Sequence, residues 1–106
     1  MDVPTGFVNQ AQLAQSVNDA IRTLNPEVVV HVAYSIGNDS TDDPAIFFRI
    51  VLTDPASRED GLADVTGRVA STLFDLIRPI ENWGLTLYFS FRSFSEQRMR
   101  DDPEWS

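Results

Sequence analysis

Three basic side chains, His31, Arg49 and Arg92, occupy positions from which they could bind an anion together. Each alternates with apolar neighbours in a β-branched or aromatic run, which predicts that all three project from one face of a sheet. Arginine donates paired hydrogen bonds to carboxylate and phosphate groups. One hypothesis is therefore a small-ligand or anion-binding sensor. The other is that these residues solubilise a half-exposed sheet or pair with acids of a partner subunit.

No recognisable catalytic or metal-binding motif accompanies these residues. The chain has no cysteine and a single histidine, so neither a thiolate nucleophile nor a multi-histidine metal site is possible within it. Its serines lack the nucleophile-elbow context, and it has no phosphate-binding loop and no dinucleotide fingerprint. Asp39, Asp42 and Asp43 crowd one loop, but their spacing differs from a calcium loop and is typical of a plain turn. We expect no metal, no cofactor and no enzymatic activity, although an acid–base pair among the carboxylates stays open.

The charge of the chain restricts its partners. Its 106 residues include 16 acidic and 8 basic side chains, which gives a net charge of −8. Nucleic acids and anionic membranes bind concentrated basic surfaces, so neither is expected as a partner, whereas a basic protein is compatible. The opening MDVPTGF has no signal-peptide pattern, and no apolar stretch approaches the length of a membrane helix. A cytoplasmic location is therefore expected.

The elements that must position these residues follow from hydrophobic periodicity. Helical spacing predicts helices over 10–24, where Asn9 is a candidate cap, and over 62–80. Alternating apolar residues predict strands over 27–36, 45–53 and 85–92. Residues 1–106 are thus expected to form a single α+β domain of α-β-β-α-β order, a two-layer sandwich with both helices on one face of a three-stranded mixed sheet. The third strand could lie beside the first or the second.

If both helices cover one side of the sheet, the other side, here called the open face, has no cover from them. Strict alternation places Val30 on the helix side and Val29 on the open face. The expected members of the open face are Val29, His31, Ala33, Phe47, Arg49, Val51, Thr86, Tyr88, Ser90 and Arg92. Several are large and apolar, and exposed apolar patches of a few hundred Å² are typical of interaction sites.

A C-terminal arm, residues 93–106, follows the last strand. Ser93 and Glu96 match a helix-start signature, which predicts a short helix to about residue 100. Phe94, Met99 and Trp105 would then fold back over the open face of the same chain or lie on another copy. Both arrangements stay open, although a large aromatic ring so near the terminus favours a docked arm over a frayed one.

The α-β-β-α-β order and the stretch FFRIVLTDPAS, residues 47–57, resemble the cytoplasmic domain of cation diffusion facilitator transporters. In that family the domain binds metal through histidines and acids, a pattern that the single His31 does not reproduce. The resemblance therefore implies dimerisation without metal.

The favoured prediction is a non-enzymatic protein-interaction module that self-associates as a homo-oligomer such as a homodimer, or pairs with another protein, through the open face and the arm. Aromatic residues and arginine are enriched at interface centres. The predicted interface residues are Phe47, Tyr88, Arg49, Arg92, Phe94 and Trp105. The alternative is the anion-binding sensor that uses His31, Arg49 and Arg92.

Overall fold

The computed structural model describes residues 10–78 and 84–105, and its elements follow in the order α-β-β-α-β-α. The helices are α1 (Gln10–Arg22), α2 (Leu62–Ile77) and α3 (Phe94–Arg100), and the strands are β1 (Val29–Asn38), β2 (Pro44–Leu52) and β3 (Thr86–Ser93). The α+β class, the element order and the short C-terminal helix are confirmed. The predicted Asn9 cap lies outside the described residues.

The three strands form one mixed sheet in the order β1-β2-β3. The hairpin pair β1 and β2 is antiparallel, while β2 and β3 are parallel. Parallel neighbours need a long crossover, which the chain segment that contains α2 supplies. The third strand therefore lies beside the second, which answers the question that the sequence left open. As a result, β2 separates every residue of β1 from every residue of β3.

The hydrophobic core lies between the sheet and the pair of helices α1 and α2. One face of β2 contributes its whole alternate row to this core, and each helix contributes a stripe spaced three or four residues apart. The members with almost no exposed surface are Leu13, Val17, Ile46, Phe48, Ile50, Leu52, Leu73, Ile77 and Leu85. This packing confirms that both long helices share one face of the sheet.

The alternation predicted for β1 is wrong at its first residues, because a β-bulge interrupts the strand. Val29 pairs with Leu52 and His31 pairs with Val51, so Val30 is an extra residue on β1. Val29 consequently belongs to the core, with 9% of its surface exposed, whereas Val30 is 46% exposed. Alternation predicts the reverse, with Val30 on the helix side and Val29 on the open face. From His31 onward the register is regular, and the remaining open-face assignments on this strand follow it.

The C-terminal arm begins directly at the end of β3. The Ser93 side chain accepts a hydrogen bond from the backbone N–H of Glu96 at 3.0 Å, as the helix-start signature predicts. After α3, Asp101 adopts a left-handed conformation with φ of 48°, and a short 3-10 helix, Pro103–Trp105, follows. This turn ends α3 and lets the last residues return across the sheet.

Candidate functional site

The open face consists of four rows of residues that run across the three strands. From the end nearest α3 the rows are His31–Val51–Arg92, Ala33–Arg49–Ser90, Ser35–Phe47–Tyr88 and Gly37–Ala45–Thr86. The first two rows carry the basic residues, and the third carries the two aromatic rings. Because strands lie about 4.8 Å apart, His31 and Arg92 are about 10 Å apart at the backbone, with β2 between them.

The arm covers part of the first two rows of its own sheet, at Val51, Arg49 and Arg92, and leaves His31 and Ser90 exposed. Trp105 is 7% exposed, and the guanidinium carbon of Arg92 lies 4.2 Å from the centroid of its ring. Arg49 donates from Nε to the carbonyl oxygen of Glu104 at 2.6 Å and also donates to the Ser35 hydroxyl at 3.2 Å. Val51, in the first row, is buried. The arm is thus docked through Trp105 on the chain that carries it, which is one of the two predicted arrangements. The expectation that Met99 also folds back is wrong, because Met99 is 87% exposed.

Arg92 is the centre of the polar contacts that hold the arm. One of its terminal nitrogens donates to the Gln97 side chain at 3.0 Å and lies 3.4 Å from a carboxylate oxygen of Asp102. Gln97 in turn donates to the carbonyl oxygen of Asp102 at 2.9 Å. The side chain of Arg92 is only 14% exposed, and Asp102 is its ion-pair partner within the chain. Arg92 therefore joins α3, the following turn and Trp105 to the sheet.

A second polar contact fixes the start of α3. The carboxylate of Asp54, which follows β2, accepts hydrogen bonds from the backbone N–H and the hydroxyl of Ser95. These bonds favour the charged form and lower the pKa of Asp54 from its ordinary value. The sequence carries no signal for this pair, because the two residues are far apart in the chain and only the parallel pairing of β2 and β3 brings them together.

The third row stays uncovered and forms a small aromatic patch. The rings of Phe47 and Tyr88 are stacked, with centroids 5.4 Å apart and an angle of 14° between their planes. Tyr88 is 42% exposed and Phe47 is half-buried. The patch, defined as Phe47 and Tyr88, lies between the arm on one side and the β1–β2 hairpin loop on the other.

The hairpin loop places carboxylates at the edge of the patch. The Tyr88 hydroxyl donates to Asp39 at 2.7 Å, and Asp39 also accepts from the hydroxyl and backbone N–H of Thr41 and from the backbone N–H of Asp43. The bond from Tyr88 is the largest cause that lowers the pKa of Asp39 to about 2. The same bond, followed by burial and the nearby carboxylates, raises the pKa of Tyr88. Asp39 is therefore ionised, and Tyr88 neutral, throughout the physiological pH range.

The structure divides the six predicted interface residues into three sets. Phe47 and Tyr88 form the aromatic patch, whereas Arg49, Arg92 and Trp105 hold the arm in place. Phe94 lies on α3 and is 41% exposed, with the guanidinium of Arg98 5.7 Å from its ring centroid. Of the three predicted anion-binding residues, His31 is exposed at the far edge of the first row. The contacts of both arginines with the arm favour a structural role for them.

Within residues 10–78 and 84–105, no cluster of three or more histidine and acidic side chains is arranged to hold a metal ion. Over the same ranges, none of the helices combines the length and the apolar character needed to cross a membrane.

No family model, curated protein or solved structure matches this chain. The resemblance to the transporter domain thus gains no support from these comparisons, and any function has to be argued from the surface itself.

Proposed function

We propose that this chain is a non-enzymatic protein-interaction module and that the aromatic patch is its binding surface. The observation that carries the proposal is the exposed stack of Phe47 and Tyr88 in the middle of a sheet face that is otherwise covered or polar. A tyrosine that stays 42% exposed in a small domain keeps apolar area available for a partner. Tyrosine is also among the residues that carry most binding energy at interfaces.

The patch is suited to binding because its surroundings hold it in one conformation. The bond from the Tyr88 hydroxyl to Asp39 restrains the ring, and stacking on Phe47 restrains it from the side. A side chain that is already ordered loses less conformational entropy when a partner binds. The docked arm contacts Arg49, in the row beside the patch, so the arm would lie next to the proposed site without needing to reach another copy.

Self-association through the patch is the first form of the proposal to test. Light scattering on the full chain over a wide concentration range would give the solution mass, with Tyr88→Asp as the test variant. Phe74→Asp is a matched control, because Phe74 is also an exposed aromatic, at 41%, but lies on α2 in the other layer. A dimer that Tyr88→Asp abolishes and Phe74→Asp preserves supports self-association through this face.

A dimer that both variants preserve would place the self-interface elsewhere and remove the patch from it. A full-length chain that stays monomeric at every concentration would exclude self-association as the function of the patch. Circular dichroism on each variant separates lost association from lost folding. This control is needed most for Phe47→Asp, because Phe47 is half-buried.

A further inference from the structure

The distribution of charge around the aromatic patch indicates which partner it fits, and this inference rests on the proposed function. We infer that the patch binds a basic segment of another protein, in which an arginine or lysine lies beside an apolar residue. The apolar residue would pack on Phe47 and Tyr88, and the basic one would contact the neighbouring carboxylates.

Carboxylates border the patch on its hairpin side, and the arm carries further exposed acidic residues. On the hairpin side, Asp39 contacts the Tyr88 hydroxyl, and the charge of Asp43 is close enough to act on the same hydroxyl. On the arm side, Glu104 is exposed and its backbone carbonyl contacts Arg49, one row away from the patch. Asp101, also in the arm, is exposed as well.

Basic side chains of the same chain do not neutralise the hairpin carboxylates. Among the described residues, none of the ion pairs involves Asp39, Asp42 or Asp43. Arg49 and Arg92, the two arginines of the open face, instead donate their hydrogen bonds to the arm and to Ser35. The patch is therefore an apolar surface with uncompensated negative charge at its edge, on a chain of net charge −8.

This charge distribution disfavours a second copy as the occupant. In a two-fold symmetric interface each subunit presents the same surface, so the acidic hairpin loops of both subunits would be brought into one interface. Like charges brought together in this way oppose binding. A basic segment has the opposite effect: a guanidinium or ammonium group gains both from the carboxylates and from the faces of the two rings, which attract cations.

A selection from random dodecapeptides displayed on phage tests the inference on the full chain. We expect the enriched peptides to carry net positive charge together with a large apolar residue. Their affinity should fall by at least about 30-fold in Tyr88→Asp, the loss typical of a central interface residue. It should change little in Phe74→Asp, which serves again as the matched control.

Charge is tested separately with Asp42→Asn and Asp43→Asn. Asparagine suits the loop because Asp42 has a φ of 65°, a conformation that asparagine tolerates. Each variant should weaken the selected peptides by about 1.5- to 5-fold, the range for an exposed ion pair. Asp75→Asn, an exposed site on α2, removes the same charge at a distance and should leave the affinity unchanged.

The other outcomes overturn the inference in distinguishable ways. Enrichment of neutral or acidic peptides that still need Tyr88 would refute the basic partner and leave the interaction module standing. A dimer that Tyr88→Asp breaks, with no enriched peptide, would make a second copy the occupant. A monomer that selects no peptide, or only peptides insensitive to Tyr88→Asp, would refute both the basic partner and the proposed function.

Discussion

Replacing Trp105 with alanine measures how strongly the arm is held on the sheet. The ring is 7% exposed although it lies at the penultimate position of the chain, and Arg92 packs over it at 4.2 Å. The other contacts of the arm are polar and partly exposed. Trp105 is thus the main apolar contact between the arm and the open face, and its removal should release the last turn.

The expected loss can be worked out from the buried area. A buried tryptophan removes about 200 Å² from water, which at about 25 cal/mol per Å² corresponds to about 5 kcal/mol. The residual compactness of the unfolded chain lowers this to about 3–4.5 kcal/mol. A released arm then regains about 1–2 kcal/mol of backbone entropy per freed residue, which limits the cost further. We expect Trp105→Ala to lower the free energy of unfolding by about 2–4 kcal/mol.

Urea denaturation followed by far-ultraviolet circular dichroism is the suitable assay, because fluorescence would report on Trp105 itself. Met99→Ala is the matched control: Met99 lies in the same arm but is 87% exposed, and its loss should stay within about 0.5 kcal/mol. Deletion of residues 101–106 should destabilise the protein about as much as Trp105→Ala, because loss of the ring is expected to release the same residues and their polar contacts together. A Trp105→Ala loss no larger than that of Met99→Ala would refute the docked arm.

Three further predictions concern the hairpin loop, the bulge and the helix cap. Tyr88→Phe should raise the pKa of Asp39 from about 2 towards its ordinary value of 3.8, measured by carboxyl NMR titration. Because the pKa of Asp39 is lowered in the folded state, the stabilisation from the bond between Tyr88 and Asp39 is complete above about pH 4 and is lost as the pH falls through about 2. An Asp39 titration that is unchanged in Tyr88→Phe would exclude the bond. Val29→Thr should lower the free energy of unfolding by about 1–3 kcal/mol because it buries a hydroxyl, while Val30→Thr should change it by no more than about 0.5 kcal/mol. Equal effects of the two substitutions in urea denaturation would contradict the bulge. Ser93→Ala should lower the free energy of unfolding by about 1 kcal/mol and speed amide hydrogen exchange in α3. Protection from exchange that stays at its wild-type level would show that the cap is dispensable.

The two layers of the fold could be predicted because each depends on local periodicity. The apolar stripes of α1 and α2 and the alternating row of β2 can bury their surface only against one another. The wrong face predicted for Val30 has a local cause as well. A run of valines carries no signal for a bulge, because every member of the run suits either face of a strand.

The candidate site also has features that the sequence predicts and features that it does not. The residue types, the acidic charge and the aromatic positions Phe47 and Tyr88 could all be identified from the chain, since alternation along regular strands places side chains reliably on one face. The bond between Tyr88 and Asp39 could not, because it joins the hairpin loop to a strand that is not its neighbour in sequence. The same holds for Asp54 and Ser95.

By itself, the amino-acid sequence determined the helices and strands, the face that the two long helices cover and the short helix at the start of the arm, because each of these follows from spacing within a few residues. Only the tertiary structure decided the strand order, the docking of Trp105 on its own chain and the use of Arg49 and Arg92 to hold it there. These features depend on contacts between residues distant in sequence, where several arrangements satisfy the same local pattern and packing selects one of them.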